Sequence, residues 1–440
     1  MRSTAGCGLY HEETGEERIV TRFSTPKGTQ DILPDDWPYW DFVTGHAFET
    51  ARLFGYRRIE TPVFGDTALF ARATGQGSDI VDKEMYTFLD RDGMELSLRP
   101  EGTAPVMRAY LEHGMHKLPQ PVKLFYLERM YRYDKPQRGR FREHRQFGCE
   151  AVGSDDAYVD VEMISLLDTF YHRIGLDDLA LHVNSIGDRI CRPAYLEALS
   201  TYLREHAADL AELDRERIER NPLRVLDSKE RASQATIASA PHMLDFLCDA
   251  CRCHWQRLLH GLQILGIHHE IDHSLVRGLD YYTRTVFEFA PPVDGRQAVV
   301  GAGGRYDALS EAIGGPPIPG IGFGSGIERL VLNVRERGVE VPPPPSPAVY
   351  VAHFGTGTED EALILATRCR REGIPTELAF GERSLKAQMR HANTAHARRV
   401  AIIGEDELRE GAVTLRDLTT GDQRTVAAAD AAPLLAEAES

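Results

Sequence analysis

The chain has 440 residues, of which 42% are hydrophobic and 27% are charged, and its formal net charge is -16. This length allows two or three domains with separate cores, and no apolar run approaches the roughly 18 residues that cross a bilayer. The acidic balance argues against indiscriminate nucleic-acid binding, because such binding depends largely on neutralising phosphates.

The N-terminal segment, residues 1–24, carries no apolar stretch of the kind found in secretory signals. We expect it to be a disordered extension of a cytoplasmic protein. The seven cysteines are odd in number and irregularly spread, which fits a reducing compartment and predicts no disulfide framework.

The next elements are a helix and a strand. Residues 37–54 have apolar spacing that suits a helix ending near Gly55. Residues 55–64 predict a strand, with Pro62 placing it at a sheet edge or a bulge. A plain surface strand explains this segment as well as a functional one does.

A hairpin and a turn follow. Residues 85–88 and 96–98 predict two strands around the turn residues Asp92 and Gly93. The sequence RPEGT then predicts a turn into a helix from Ala104, with Thr103 as its N-cap.

Residues 122–153 are the most informative stretch. Two apolar runs flank a polar segment with Pro136 and Gly139, which predicts two antiparallel strands joined by a long loop. Because side chains alternate along strands, one face would carry Arg132, Gln146 and Glu150. Unpaired buried polar groups cost about 1–3 kcal/mol each, so we expect a polar ligand there. The basic residues of the loop, a candidate phosphate grip, are Lys135, Arg138, Arg140, Arg142 and Arg145.

This combination of a strand arginine, a basic loop and a second strand with Gln and Glu resembles motif 2 of the class II aminoacyl-tRNA synthetases. The sequence DKPQRGR at 134–140 is most similar to the histidyl-tRNA synthetase family. The resemblance implies that residues 37–64 are motif 1 and form a homodimer interface. It also implies that SLRPEGT at 97–103 binds the α-amino group of the amino acid through Glu101, Gly102 and Thr103. Asp134 and Arg145 depart from the residues that are frequent in the family.

Beyond motif 2, residues 160–174 predict a helix, residues 179–183 a short strand, and residues 189–266 a charged helical segment. The resemblance implies an insertion domain that approaches the tRNA acceptor arm. Cys248, Cys251, Cys253 and His254 lie in this segment. Structural zinc usually takes its ligands from two separated pairs on turns, so this single helical stretch favours no protein-held structural metal, although the question stays open.

Residues 270–289 predict one long strand, unless Gly278 forms a bulge. The sequence LVRGLDYYTRTVFE within it resembles the same family, which implies that Arg277 reaches the α-phosphate and that Tyr281 and Tyr282 line an imidazole pocket. The sequence VVGAGGRYD at 299–307 resembles a second family signature and implies that Tyr306 lies near that pocket.

Residues 320–330, GIGFGSGIERL, resemble class II motif 3. If this stretch is extended, Gly320, Gly322, Gly324 and Gly326 share one face and form a flat track for a planar base. Arg329, at the start of the following helix, could stack on that base. The spacing is not that of a dinucleotide-binding turn, and the chain has no P-loop motif.

A proline-rich linker at 341–347 separates a C-terminal part. Strands at 348–353, 399–403 and 413–417 alternate with helices at 358–372 and 384–396, which predicts a small α/β domain with a largely parallel core. The resemblance implies an anticodon-binding domain, with tRNA contacts from Lys386 and Arg390.

We therefore predict an α+β catalytic domain with an antiparallel sheet and a helical insertion, followed by a C-terminal α/β anticodon-binding domain. The predicted segments are 1–24 (extension), 25–188 and 267–338 (catalytic domain), 189–266 (insertion), 339–347 (linker) and 348–435 (anticodon-binding domain).

The implied activity is activation of L-histidine with ATP, as its Mg²⁺ complex, followed by transfer of the histidyl group to the 3′ end of tRNA(His). Catalytic contacts to the α-phosphate are assigned to Arg132 and Arg277. The further residues assigned by the resemblance are Gln146, Glu150, Tyr281, Tyr282 and Tyr306 for histidine, Asp134, Arg140, Gly324 and Arg329 for ATP, and Gln137 and Arg138 for tRNA.

Two alternatives remain at this stage. One is a catalytically silent, histidine-binding regulatory subunit of histidine biosynthesis. The other is a synthetase for another amino acid, such as threonine, proline or glycine. The presence of Arg132, Arg277 and Arg329 disfavours the first, and the long LVRGLDYYTRTVFE match disfavours the second.

Overall fold

The computed structural model describes residues 23–75, 80–135, 137–277, 281–291, 299–381 and 383–437. The expectations for a disordered N-terminal extension and for a bulge at Gly278 lie outside these residues. The chain divides into two compact units between Val341 and Pro342, inside the segment predicted to be a linker. Within the described ranges, none of the helices is both long and apolar enough to span a membrane.

The first unit is organised around a large sheet. Its described strands are β1 (Arg57–Arg58), β2 (Phe64–Asp66), β3 (Thr87–Leu89), β4 (Glu95–Leu98), β5 (Val122–Tyr131), β6 (Glu143–Val152), β7 (Ala180–Ser185), β8 (Glu270–Ile271), β9 (Thr283–Ala290), β10 (Gly301–Arg305) and β11 (Gly320–Gly326). Eight of them form one sheet in the order β1-β5-β6-β11-β10-β9-β7-β8, and β2-β4-β3 form a small second sheet. The predicted antiparallel sheet is confirmed for the six central strands, and one parallel strand is added at each edge.

Helices cover one face of the large sheet. The described helices of this unit are α1 (Trp37–Leu53), α2 (Thr67–Thr74), α3 (Thr103–Glu112), α4 (Ala157–Arg173), α5 (Arg192–Glu205), α6 (Glu212–Arg220), α7 (Leu223–Leu226), α8 (Gln234–Ala238), α9 (Asp249–Ile264), α10 (Leu309–Ala312) and α11 (Ile327–Glu336). Phe147 of β6 packs edge-on against Phe170 of α4, with ring centroids 5.1 Å apart, and Phe125 of β5 packs on Phe48 of α1 at 5.5 Å. Odd-numbered residues of β5 and β6 thus face helices, which leaves the even-numbered residues for the opposite face.

The strand predicted at 55–64 is wrong in its second half. Only Arg57–Arg58 pairs with β5, and Phe64 enters the small sheet instead. Between them, side chains take the backbone groups of Thr61: its N–H donates to Glu128 Oε1 (2.7 Å), and its carbonyl accepts from Arg99 Nη1 (2.7 Å). These groups are therefore not available to a β-ladder.

The single strand predicted at 270–289 is also wrong, because the chain turns within it. Ser274 N donates to Asp272 Oδ1 (2.9 Å), and Leu275 N donates to the Asp272 carbonyl (2.9 Å). An aspartate that bonds its own following backbone is typical of a turn. The segment is thus divided into β8 and β9, which lie on opposite sides of β7.

The second unit is a five-stranded α/β domain. Its described elements are β12 (Val349–His353), α12 (Thr358–Arg371), β13 (Thr376–Leu378), α13 (Leu385–Thr394), β14 (Arg399–Ile403), α14 (Glu405–Glu410), β15 (Ala412–Asp417), β16 (Gln423–Ala427) and α15 (Ala428–Glu437). The order is β13-β12-β14-β15-β16, with the first three strands parallel and the last two antiparallel. The alanine-rich tail, which carried no sequence signal, forms α15 and buries Ala431, Ala432 and Leu435 in the core.

A buried ion pair ties the helix layer to the sheet. Asp160 of α4 and Arg305 of β10 form a salt bridge in which both side chains are fully buried. Thr285 Oγ1 donates to Asp160 Oδ2 (2.6 Å), and His254 Nε2 lies 2.8 Å from the same oxygen. The carboxylate therefore joins α4, α9, β9 and β10.

We predict that Asp160→Asn lowers the free energy of unfolding of the first unit by about 3 kcal/mol, because it leaves the Arg305 guanidinium buried with less compensating charge. All three tryptophans, Trp37, Trp40 and Trp255, lie in this unit, so urea unfolding followed by tryptophan fluorescence measures it. Glu219→Gln, which neutralises an exposed partner of Arg204, is the control and should change little. Equal effects of the two substitutions would contradict the role of the buried pair.

Candidate active site

A cavity of about 700 Å³ opens on the even-numbered face of β5 and β6. The loop between these strands, the turn before α3, and parts of β10, β11 and α11 form its walls. The predicted site residues that line it are Glu101, Gly102, Thr103, Arg132, Asp134, Gln137, Arg138, Arg140, Gln146, Arg277, Tyr281, Tyr282, Gly324 and Arg329. Residues from widely separated motifs therefore meet in one place.

Glu150 and Tyr306 form a layer directly beneath the cavity floor. The Glu150 side chain is fully buried, and its Oε1 accepts from Thr103 Oγ1 (2.8 Å) and Tyr126 OH (3.2 Å). Its Oε2 accepts from Tyr306 OH (2.7 Å). Burial raises the pKa of Glu150 to about 8, although these hydrogen bonds act in the opposite direction.

The glycines of β11 make room for this layer. At Gly320, Gly322 and Gly324 a Cβ would overlap a neighbouring side chain, whereas Gly326 has open space. The neighbouring side chains are, in order, Tyr306, Glu150 and Gln146. The prediction of a bare glycine track for a planar base is therefore wrong for Gly320 and Gly322, and only Gly324 and Gly326 line the cavity.

The turn before α3 differs by one residue from its prediction. The helix begins at Thr103 with Gly102 as N-cap, so Thr103 is not the cap. Glu101 serves this end of the helix instead: its carboxylate accepts from Thr103 N (2.7 Å) and Ala104 N (2.9 Å). Burial raises the pKa of Glu101. Gly102 allows the close approach of the Tyr126 ring, which a Cβ would overlap.

Two cavity arginines are oriented by main-chain oxygens. Arg132 Nε donates to the Pro100 carbonyl (2.7 Å), and Arg329 Nε donates to the Gly139 carbonyl (3.0 Å). A carbonyl fixes the guanidinium but carries no net charge to cancel it. Both groups can therefore direct a full positive charge at an anion in the cavity.

Other cavity arginines have acidic partners. Arg277 pairs with Glu288, and its guanidinium lies 5.8 Å from the centre of the Tyr282 ring. Arg140 pairs with Asp134 in the loop between β5 and β6. Arg138 likewise pairs with Glu336 on α11. An incoming anion would therefore compete with carboxylates for these three arginines.

The rest of the predicted phosphate grip does not line the cavity. The Arg142 guanidinium lies 3.7 Å from the centre of the Tyr133 ring, and that of Arg145 lies 4.7 Å from the Trp40 ring. Cation–π contacts of this kind stabilise the loop, through Arg142, and the start of β6, through Arg145. Of the five basic residues of the predicted phosphate grip, Arg138 and Arg140 therefore line the cavity.

The residues of the cavity wall that were not predicted include Tyr126, His144 and Lys229. Extending the alternation of Arg132 back along β5 reaches Tyr126, and extending that of Gln146 along β6 reaches His144. Burial and the nearby Arg132 lower the pKa of His144 to about 3, so its ring is neutral. Lys229 lies in the loop between α7 and α8, and no local pattern singles it out.

The cysteine cluster has a different membership from that considered on sequence. His254 is bonded to Asp160, and Cys253 is exposed. Cys248 and Cys251 instead group with two residues from an earlier part of the chain. The four residues of this cluster are Asp188, Cys191, Cys248 and Cys251.

The remaining predicted contacts lie in the second unit. Lys386 and Arg390 are exposed and lie one turn apart on α13.

The antiparallel sheet, the hairpin with its basic loop and the arginine that follows β11 define a class II aminoacyl-tRNA synthetase catalytic domain. The family profile described as histidyl-tRNA synthetase matches residues 28–330, and that described as anticodon binding domain matches residues 348–438. The chain belongs to the histidyl-tRNA synthetase family.

Individual relatives agree with this assignment. A histidine--tRNA ligase of Dehalococcoides mccartyi is 48% identical over 404 residues, which are 92% of this chain and 97% of the relative. One from Moorella thermoacetica is 48% identical over 403 residues, covering 92% and 95%. The crystal structure of apo S. aureus histidyl-tRNA synthetase superposes with a TM-score of 0.79 at 34% identity, covering 94% of this chain and 100% of that one.

We predict that Glu150→Gln flattens the pH dependence of stability in the ligand-free protein. The folded protein keeps a proton on Glu150 up to a pKa of about 8, whereas the unfolded chain releases it near its ordinary value of about 4.3. The native state binds more protons in this window, so the free energy of unfolding falls as pH rises through it. Urea unfolding at several pH values between about 5 and 8 measures the slope. Parallel profiles for the two proteins would contradict the raised pKa.

Proposed function

We propose that this chain is a histidine–tRNA ligase that activates L-histidine with ATP and transfers the histidyl group to the 3′ end of tRNA(His). The observation that carries the proposal is the cavity itself, which combines a cluster of cations with a polar floor. The cations in its wall are Arg132, Arg138, Arg140, Arg277, Arg329 and Lys229. A triphosphate next to an amino-acid carboxylate needs such a set of charges in a chain that is acidic overall.

The histidine is assigned to the inner part of the cavity. We place its α-amino group near Glu101, Thr103 and Gln146, because Glu101 is the carboxylate at this end. We place its imidazole above the Glu150 carboxyl, beside Tyr282. The Tyr281 and Tyr282 rings lie 4.7 Å apart and close this part of the cavity. Tyr306 holds Glu150 in position rather than touching the substrate.

The ATP is assigned to the outer part, where the arginines and Asp134 lie. Arg132 and Arg277 would contact the α-phosphate, Arg140 and Arg329 would hold the rest of the nucleotide, and Gly324 would allow its close approach. ATP would enter as its Mg²⁺ complex, so the metal belongs to the substrate. Gln137 and Arg138, at the outer end of the loop, are assigned to the tRNA end.

The proposed chemistry needs no protein nucleophile. A carboxylate oxygen of histidine attacks the α-phosphorus, the bond from this phosphorus to the bridging oxygen breaks, and pyrophosphate leaves with that electron pair. The terminal ribose oxygen of the tRNA then attacks the histidyl carbonyl carbon, and the bond from this carbon to the phosphate oxygen breaks. AMP leaves with that electron pair, and the hydroxyl proton passes to water. The protein accelerates both steps by orienting the reactants and stabilising phosphate charge.

Exchange of labelled pyrophosphate into ATP tests the first step. We expect exchange with histidine and with no other amino acid, and a fall of about 10²-fold or more in Arg277→Ala, by analogy with the loss of one charge-stabilising group. Arg204→Ala, which removes an exposed arginine of α5, is the control and should exchange at the rate of the unsubstituted protein.

Other outcomes identify the alternatives. Histidine binding by calorimetry without any exchange would favour the histidine-binding regulatory subunit. Exchange driven by another amino acid would favour a different synthetase. Full exchange in Arg277→Ala would leave the ligase activity intact but contradict the role of Arg277.

We propose that the second unit binds the anticodon arm of the tRNA, in agreement with the anticodon binding domain profile. The basic, exposed pair on α13, Lys386 and Arg390, is the proposed contact. The double variant K386A/R390A should raise the KM for tRNA(His) in aminoacylation about 10-fold and leave histidine-dependent pyrophosphate exchange unchanged, because phosphate contacts contribute to binding alone. Parallel losses in both assays, or no change in KM, would contradict this assignment.

The homodimer and the domain limits also remain proposals. An apolar surface around the small sheet supports a partner at motif 1: Phe64, Phe88 and Leu89 are 53%, 42% and 69% exposed. Residues 189–266 are proposed as the inserted domain, although their helices share one core with the rest of the first unit.

A further inference from the structure

Four potential metal ligands converge away from the cavity wall. A carboxylate oxygen of Asp188 and the Sγ atoms of Cys191, Cys248 and Cys251 all lie within 4.8 Å of one another. Tetrahedral zinc with Zn–S bonds of about 2.3 Å separates its sulfur ligands by about 3.8 Å. The four atoms therefore need to move by only about 1 Å to enclose an ion.

The ligands come as two pairs with the same spacing. Asp188 and Cys191 are separated by two residues, as are Cys248 and Cys251. Each pair lies where a turn leads into a long helix: α5 follows Cys191, and α9 follows Cys248. Two separated pairs on turns are the usual source of ligands for structural zinc. The stretch from Cys248 to His254 lacks this feature when it is considered by itself.

The position of two thiols suggests a role other than helix capping. Cys191 and Cys248 are the N-cap residues of α5 and α9, and neither makes a side-chain capping hydrogen bond. Ser, Thr, Asp and Asn are the residues preferred at that position. The N-terminal ends of α5 and α9 meet at the cluster.

A nearby arginine would offset the negative charge that the four ligands carry with zinc bound. Three thiolates and one carboxylate around Zn²⁺ leave an excess of negative charge. Arg284 Nη2 lies 3.9 Å from Asp188 Oδ2. Arg284 also has a backbone φ of 50°, and its N–H donates to the Gly187 carbonyl (2.7 Å). This geometry holds the guanidinium beside the cluster.

We propose that Asp188, Cys191, Cys248 and Cys251 bind one structural zinc ion. The ion fastens the start of α5 to the start of α9, and so closes the base of the helical segment between them. The choice of zinc follows from the soft thiolate donors and from the number of ligands, which is four.

The proposed ion lies next to a turn that contacts the cavity wall from behind. Arg192, the residue after Cys191, donates through Nη2 to the Tyr282 carbonyl (2.6 Å) and through Nε to the Ile186 carbonyl (3.2 Å). A fixed turn at 187–191 therefore helps to fix the backbone of Tyr282.

Metal analysis of the purified full-length chain tests the proposal. The protein is produced with zinc in the medium, purified under reducing conditions without chelator, and analysed by mass spectrometry of its metals. We expect about one zinc per chain in the unsubstituted protein, and less than about a tenth of that in Cys191→Ser and Cys248→Ser. Cys253→Ser is the matched control: it removes an exposed thiol of the same helix, and it should retain the zinc.

A second measurement uses the unsubstituted protein and so does not depend on the folding of the variants. Chelator-treated, reduced protein is titrated with Co²⁺, whose thiolate charge-transfer absorption should rise to a one-to-one end point and disappear on addition of Zn²⁺. Absence of this absorption in folded, reduced protein would overturn the proposal. Zinc retained in Cys191→Ser and Cys248→Ser, or a disulfide between these cysteines in protein purified without reductant, would overturn it as well.

Discussion

The cavity depends on one steric constraint, the close approach of β11 to the side chains of β6. The Glu150 carboxyl and the Gln146 amide occupy the volume that Cβ atoms at Gly322 and Gly324 would take. Because β11 offers no side chains there, a carboxyl can lie fully buried under the floor. Among the residues that the structure describes, its side-chain donors are the hydroxyl groups of Thr103, Tyr126 and Tyr306. Burial without a cation raises its pKa. A ligand that brings an N–H or a positive charge would therefore find an acceptor that is already fixed in place.

The loop between β5 and β6 uses its arginines in two physically different ways. Arg142 in the loop and Arg145 at the start of β6 pack on aromatic rings and hold this region against the body of the unit. Arg138 and Arg140 reach the cavity, each with a carboxylate partner. Arg132, in contrast, is oriented by a main-chain carbonyl. Charge density in the sequence therefore overstates the number of cations that reach the cavity, because some of the arginines pack on aromatic rings instead.

Sequence patterns predicted the centre of the fold and of the site well, since the relevant rules are local. Alternation along two strands placed Arg132 and Gln146 on one face, and the register of β5 with β6 agrees. The same rule, carried three steps back along β5 from Arg132, would have found Tyr126. The patterns failed at Thr61, where the side chain of a residue distant in sequence hydrogen-bonds the backbone in place of a neighbouring strand. They also failed at Asp272, where a turn interrupts a run of residues that was predicted to be one strand. Lys229 could not be predicted, because only the tertiary fold brings it to the cavity.

The cysteine cluster, like Lys229, could not be predicted from local patterns in the sequence. It also has a structural connection to the cavity. Cys248 and Cys251 alone are an ordinary pair at a helix start, and only the approach of Asp188 and Cys191 gives them a complete set of ligands. Joining two distant points of a chain removes conformations mainly from the unfolded state. The resulting gain in stability increases with the length of the closed loop. The loop closed here, residues 192–247, includes Lys229. A metal at this cluster would thus stabilise the segment that delivers a cation to the cavity, without contacting the substrate itself.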